Sequence, residues 1–255
     1  MSTDDLSRLA REASRAGIFS DFDGCLASIV ADPDAATAVP GADEVLEALA
    51  SRFRVVAVVS GRSAADLSGR VHAHGVRLIG LHGLEEWIDG EVHVTSEAAA
   101  ARDAVARAAD ALDGALPEGA LLERKGLALA VHFRRARDPE ATEAAASLLV
   151  RQVAAREGLR VVPGRRILEV RPNTGGDKGD AVRRVVDDAK LTAALVGGDD
   201  LGDVPAFDAV AALPLSIRVA VASSEGPAEL MARANFMVAS PDEYVMLLRR
   251  LSTAG

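Results

Sequence analysis

Four short apolar runs, each ending in polar residues, constrain this chain more than any other feature. Residues 17–20 run into Asp21, and 55–59 into Ser60-Gly61-Arg62. Residues 193–196 run into Gly197-Gly198-Asp199-Asp200, and 217–221 into Ala222-Ser223-Ser224. Runs this short, apolar and β-branched predict strands buried on both faces, as in a parallel sheet. Between them lie stretches with apolar residues at helical spacing: 40–53, which opens with Pro-Gly, and 178–189. Strand–helix alternation of this kind implies right-handed βαβ units and a doubly wound, Rossmann-like α/β sheet. The middle of the chain breaks the rhythm. An Ala-rich helix over 97–112 precedes apolar runs at 120–123 and 127–133, and a second over 139–157 precedes runs at 160–162 and 166–170. Helix-strand-strand twice over predicts a small α+β domain inserted at 96–172, which splits the parallel core into 1–95 and 173–255.

Composition narrows the function classes. The chain carries 29 Lys+Arg against 38 Asp+Glu, a net charge of −9, so no basic excess exists to displace counterions from nucleic acid or to seek an anionic membrane. A single cysteine excludes an internal disulfide framework and fits a reducing, cytoplasmic setting. No apolar run reaches the length of a spanning helix, and the charged amphipathic N-terminus does not read as a signal peptide. With only 3% aromatic residues, an aromatic stacking platform is disfavoured. The expected partner is a small molecule, and a monomer is the expectation for the chain itself.

The chemistry lies where the strands end. Ligands of open α/β sheets bind outside the carboxyl ends of the strands, which gathers Asp21, Asp23, Ser60, Arg62, Asp199 and Asp200 on one edge. Asp21 and Asp23 are one residue apart, so their side chains can share a direction. Gly24 permits a tight turn beside whatever is bound. Four clustered carboxylates repel one another unless a hard cation sits among them, and Mg²⁺, an oxygen-seeking ion at home beside phosphate, suits the set. Lys178 lies near a helix start, where the dipole disfavours a cation; an anionic partner would explain it, although solvated lysines are common. Each piece alone is commonplace: a D-x-D-G is most often a turn, and Cys25 excludes an EF-hand loop. No P-loop and no G-x-G-x-x-G after the first strand competes, and His72 and His74 have no zinc-site context. A phosphate-handling site is the economical reading of the set.

The segments Asp21-Phe22-Asp23-Gly24, Ser60-Gly61-Arg62, Lys178-Gly179 and Gly198-Asp199-Asp200-Leu201-Gly202-Asp203 resemble the four motifs of the haloacid-dehalogenase (HAD) superfamily of phosphatases. More narrowly, Gly80-Leu81-His82-Gly83, Glu123-Arg124-Lys125 with His132-Phe133-Arg134, and Glu169-Val170-Arg171-Pro172 resemble the trehalose-6-phosphate phosphatases. The resemblance implies a HAD core with an inserted α+β cap domain, hydrolysing trehalose 6-phosphate. Asp21 is then the nucleophile that forms an aspartyl-phosphate, and Asp23 the acid and base. Mg²⁺ would be held by Asp21, the Asp23 backbone carbonyl and Asp199. Ser60 would hydrogen-bond a phosphoryl oxygen, and Lys178 would neutralise phosphate and nucleophile. Asp200 and Asp203 would orient metal waters or Lys178. On the substrate side the resemblance puts Arg62, with His82 and Gly83 toward the hinge, and the cap residues Glu123, Lys125 and Glu169 on sugar hydroxyls, with Arg134 near the phosphate. Two positions depart from the family: Cys25 replaces a usual Thr, and Gly202-Asp203-Val204-Pro205 replaces Thr-Asp-Glu-Asp.

A phosphatase of another sugar phosphate is the nearest alternative, a non-catalytic phosphosugar-binding protein a weaker one. A phospho-receiver domain would need an adjacent acidic pair after the first strand and a single compact domain, and this chain matches neither. The charge balance has internal structure: residues 96–172 hold 13 Lys+Arg and 11 Asp+Glu, a net of +2, and the rest carries −11. Acidity thus belongs to the expected cation-binding core, and the basic insert suits an anionic ligand.

Overall fold

The computed structural model describes residues 3–30, 32–164, 166–173, 176–222 and 226–254, which leaves the strand-exit residues Ser223 and Ser224 outside the described residues. In chain order the elements are α1 (Thr3–Arg11), β1 (Ala16–Ser20), α2 (Ala42–Ala50), β2 (Val55–Val59), α3 (Ala64–Ser68), β3 (Arg77–Gly80), β4 (Glu85–Ile88) and β5 (Glu91–Val94). Then come α4 (Ser96–Leu112), β6 (Leu121–Arg124), β7 (Leu129–His132), α5 (Pro139–Arg156), β8 (Leu159–Gly164) and β9 (Ile167–Pro172). The chain closes with α6 (Lys178–Ala189), β10 (Ala193–Gly198), α7 (Val204–Val210), β11 (Leu215–Val221), α8 (Ala228–Arg233), β12 (Phe236–Val238) and α9 (Pro241–Thr253). Two units result, one of residues 1–93 and 177–255, the other of 94–176.

The first unit is an eight-stranded sheet in the order β12-β11-β10-β1-β2-β3-β4-β5. From β12 through β3 every pairing is parallel, and β4 then runs antiparallel to β3. Neighbouring residues of one strand feed opposite cores, because a strand's side chains alternate. On β2, Val56 and Val58 pack with Leu46, Leu49 and Leu248 beneath α2 and α9, whereas Ala57 and Val59 join Val182, Val185 and Phe207 beneath α6 and α7. Each central strand is therefore apolar at successive positions, as its sequence indicates. The antiparallel β3–β4 pairing was not legible in the sequence, since Glu85 and Glu86 interrupt the apolar pattern. Glu86 instead pairs with Arg77 at 2.6 Å, and buried Glu85 accepts from the Ala64 N–H at 2.6 Å.

The second unit is a four-stranded antiparallel sheet in the order β6-β7-β9-β8. One face carries Leu129, Val131, Leu168 and Val170, which pack against Val105, Leu112, Val150 and Val153 of α4 and α5. The other face carries polar residues in register, with Glu123 opposite Ala130 and Ala130 opposite Glu169. Thr95 and Asp138 cap the two helices by accepting from Ala98 and Ala141.

Candidate active site

The carboxyl ends of β10, β1 and β2, adjacent and parallel in the first unit, carry Asp199, Asp21 and Ser60. Past Ser20 the backbone turns sharply: the Phe22 carbonyl accepts from Leu26 and Ala27, each at 2.9 Å, and the Gly24 N–H donates to Ala27 at 2.8 Å. Gly24 sits at φ +80°, and a Cβ there would lie 2.2 Å from Cγ of Asp199. The turn therefore requires glycine twice, for its backbone and for the space Asp199 occupies.

Asp21 is buried; its Oδ1 accepts from the Phe22 N–H at 2.7 Å and its Oδ2 lies 2.7 Å from Lys178 Nζ. The same ammonium donates to Asp203 Oδ1 at 2.7 Å. Lys178 is the first residue of α6, where the helix dipole disfavours a cation, and the two carboxylates supply the anionic partners its position demands. Burial pulls its pKa down, but Asp203 and Asp21 outweigh that and hold it well above the usual lysine value. Asp203 is saturated: its Oδ2 accepts from the backbone N–H of Asp199 at 2.9 Å and of Asp200 at 3.2 Å. Asp200 in turn accepts from Gly202, closing a capping box on the short 3-10 turn at Leu201–Asp203. Gly202 thus takes part through its backbone.

Asp21, Asp199, Asp200 and Asp203 place ligand oxygens within 4.8 Å of one another. Burial pushes the Asp21 carboxyl well above the usual range, against the pull of Lys178. Burial, then Asp203 and Asp200, pushes Asp199 up to about 8. Among the described residues the Asp199 carboxylate accepts no hydrogen bond, although the residue is only 5% exposed. Four carboxyl groups gathered around one ammonium make a site short of positive charge. An all-oxygen donor set of this kind fits a hard divalent cation, with Asp203 already spent on Lys178 and Asp21 and Asp199 still holding lone pairs.

Arg62, expected on the substrate side, is paired within the protein. Its Nε and Nη2 clamp the two oxygens of Asp23 at 2.7 and 2.8 Å, Nη1 reaches Asp66 at 2.9 Å, and Nη2 also donates to the Pro33 carbonyl at 2.8 Å. The guanidinium also lies over the Phe22 ring, 5.5 Å from its centre. With its donors so committed, Arg62 orients Asp23, the form of recognition a planar fork performs best. Asp66 was missed in the sequence, though an i,i+4 acid after Arg62 on α3 was the available signal. Ser60 is buried, and its Oγ accepts from the Arg62 N–H at 3.2 Å, which leaves the hydroxyl proton for an acceptor.

His82 and Gly83 sit in a strained segment after β3, with φ of 46° at Leu81, 58° at His82 and 108° at Gly83. Left-handed backbone costs a non-glycine residue about 1–2 kcal/mol, and the segment is held by Leu81 donating to the Arg62 carbonyl and His82 to that of Ser60. The His82 ring lies against Gly61, where a Cβ would meet Nε2 at 2.7 Å, and Gly83 rests on Ala181 of α6. Cys25, fully buried, has its thiol pushed up by burial and stays protonated.

In the second unit, the polar face of the sheet brings together Glu123, Lys125 and Glu169. Lys125 Nζ lies 3.6 Å from Glu123 and 3.7 Å from Glu169. Two further partners went unassigned in the sequence. His132 Nε2 sits 2.8 Å from Glu123 Oε2, and buried Arg171 pairs with Glu169. Alternation along β7 and β9 puts both on the polar face, a period-2 signal available in principle. Arg134 lies exposed in the turn after β7, with no ion-pair partner among the described residues.

Residues 19–241 match the family model for trehalose-phosphatase. The trehalose-phosphate phosphatase of Mycobacterium marinum is 39% identical over 249 residues, which cover 94% of this chain and 62% of that protein. An uncharacterized glycosyl hydrolase of Mycobacterium tuberculosis is 44% identical over 208 residues, 77% of this chain but 15% of its own length. The chain thus spans only part of these relatives. Among solved structures, that of a trehalose-6-phosphate phosphatase related protein superposes with a TM-score of 0.76 at 25% identity, covering 92% of this chain and 96% of that one. Trehalose-6-phosphate phosphatase from Aspergillus fumigatus gives 0.70 at 26% identity, over 100% of this chain and 98% of its own. Fold, motif placement and these likenesses agree on a HAD-type core, and the chain belongs to the trehalose-phosphatase family.

Proposed function

We propose that the chain is a Mg²⁺-dependent phosphatase that hydrolyses trehalose 6-phosphate to trehalose and phosphate. The observation that carries this reading is Asp21: a carboxylate at a strand end, 2.7 Å from a buried ammonium and inside a cluster of acids. The Asp21 Oδ attacks phosphorus, the bond to the sugar oxygen breaks, and Asp23 protonates that oxygen as it leaves. Water then attacks the aspartyl-phosphate, Asp23 takes its proton, and the bond to Asp21 breaks to free phosphate. Lys178 neutralises phosphoryl charge throughout, and Ser60 donates its hydroxyl to a phosphoryl oxygen. Asp21, Asp199 and the Asp23 carbonyl would hold Mg²⁺, which when bound shields the phosphate's charge from the attacking carboxylate. Asp200 and the saturated Asp203 position Lys178 and the metal-facing backbone.

The unit of residues 94–176 acts in this reading as the cap, with Glu123, Lys125 and Glu169 on sugar hydroxyls and the exposed Arg134 on phosphate. Carboxylates suit that role because each accepts from two vicinal hydroxyls. Among the described residues no helix is long and apolar enough to cross a membrane; together with one buried thiol, this supports a reducing, cytoplasmic setting. The test is phosphate release from a panel of sugar phosphates, with and without chelator, alongside Asp21→Asn. Activity confined to trehalose 6-phosphate, abolished by chelation and by Asp21→Asn, is expected. Turnover surviving Asp21→Asn sinks the mechanism, and better turnover of monosaccharide phosphates sinks the substrate.

A further inference from the structure

The two glutamates on the polar face of the second sheet are not equivalent. Glu169 is 15% exposed and has cations on both oxygens, Lys125 at Oε1 and Arg171 at Oε2. Glu123 is 49% exposed, and both its contacts converge on one oxygen: His132 Nε2 at 2.8 Å and Lys125 Nζ at 3.6 Å from Oε2. Burial and contact thus separate a locked carboxylate from one with an oxygen to spare.

We propose that His132 is a positioning residue for sugar recognition: it grips Glu123 Oε2 and so leaves Oε1 as the acceptor for a sugar hydroxyl. The inference rests on the sugar-phosphate reading above and names which acid reads and what holds it. Register explains the arrangement. Ala130 stands between Glu123 and Glu169, and the ammonium of Lys125, the residue after β6, lies 3.6 Å from the one and 3.7 Å from the other. His132 faces Leu121 across the β6–β7 ladder and so meets Glu123 on the diagonal, within reach of a long side chain. Because the His132 contact also holds Glu123 below the usual carboxylate range, the acid is ionised near neutrality and can only accept. The proton in the contact therefore resides on Nε2, and His132 is the donor. An exposed glutamate otherwise samples many rotamers, and ordering it before substrate arrives removes part of the entropy cost of binding.

A merely structural role would add a cross-strand pair to the sheet and leave substrate kinetics alone. His132→Leu is therefore compared with His132→Gln, whose amide N–H replaces the donor. In His132→Leu the KM for trehalose 6-phosphate rises about tenfold, kcat stays within about twofold, and Ki for inorganic phosphate is unchanged. In His132→Gln, KM returns to within about threefold of the unaltered chain. An unchanged KM in His132→Leu, an equal rise in the phosphate Ki, or no rescue by His132→Gln overturns the inference. Glu123→Ala, measured alongside, separates the two readings. If it too leaves KM unchanged, the sugar-reading assignment fails; if it raises KM while His132→Leu does not, only the role of His132 fails.

Discussion

Asp203→Asn removes one acceptor oxygen from a carboxylate whose two oxygens are both in use. The carboxylate takes Lys178 on Oδ1 and two backbone N–H groups on Oδ2, at 2.7, 2.9 and 3.2 Å. An asparagine keeps one oxygen and turns two N–H donors toward whatever the other faced. Either the Lys178 ammonium or the Asp199 and Asp200 amides then meet a donor. Leaving a buried donor unsatisfied costs about 1–3 kcal/mol, and stripping one partner from a buried charge pair about 3–5 kcal/mol in all. Since Asp203 is 1% exposed, water does not repair the loss. At about 2–4 °C per kcal/mol for a chain of this size, the variant melts roughly 10 °C lower. The chain's single tryptophan, Trp87, packs against the core of the same unit, so its fluorescence in a urea titration reports that unit. In a double-mutant cycle with Lys178→Met, coupling of at least about 1 kcal/mol is expected, because the second change removes the cation that the first deprived of one of its two carboxylates. A variant that melts within about 2 °C of the unaltered chain, or a cycle without coupling, would refute this account of the Asp21–Lys178–Asp203 chain.

Gly24→Ala strains the φ +80° turn and drives a methyl into the Asp199 carboxylate, so on the proposed reading the affinity for added Mg²⁺ falls at least about tenfold by isothermal titration. Arg62→Lys cannot span Asp23 and Asp66 at once; kcat falls about tenfold with KM nearly unchanged, read from steady-state kinetics. Burial alone would raise the Asp66 pKa, but Arg70 and Arg62 hold it below its usual value. Its stabilising contribution is therefore present above the unfolded-state pKa and lost as pH falls through the lower folded-state value. Melting temperatures from pH 7 to 3 should accordingly fall less steeply for Asp66→Asn than for the unaltered chain, and parallel curves would count against the Arg62–Asp66–Arg70 network.

The parallel core was legible because each of its central strands is apolar on both faces and stops abruptly at a polar residue. Residues 193–196 and 217–221 announce themselves, whereas β12, three residues long with Met237 exposed, carries no such signal. β4 was hidden for a different reason: its two glutamates are satisfied by Arg77 of the preceding strand and by the N–H of Ala64, contacts that only the folded chain supplies. Helix boundaries in the insert were readable to a residue or two, since alanine-rich periodic stretches bounded by Thr95 and Asp138 carry their own caps.

By itself, the sequence determined the acidic strand ends, the lysine at a helix start and the alternating face of the inserted sheet, because these depend on local period and residue type. Only the tertiary structure decided how each group is used. Arg62 became the clamp on Asp23 because Asp66, Pro33 and Phe22 converge on it from separate segments. Asp203 became the anchor of Lys178 because α6 and the turn after β10 meet there. Asp199 was left without a donor, and Glu123 with one oxygen to spare. A motif names the atoms present; which of their lone pairs remain available follows from every neighbour the fold brings within hydrogen-bond reach, some a turn away and others, such as Arg62 on Asp23 and Lys178 on Asp203, tens of residues away.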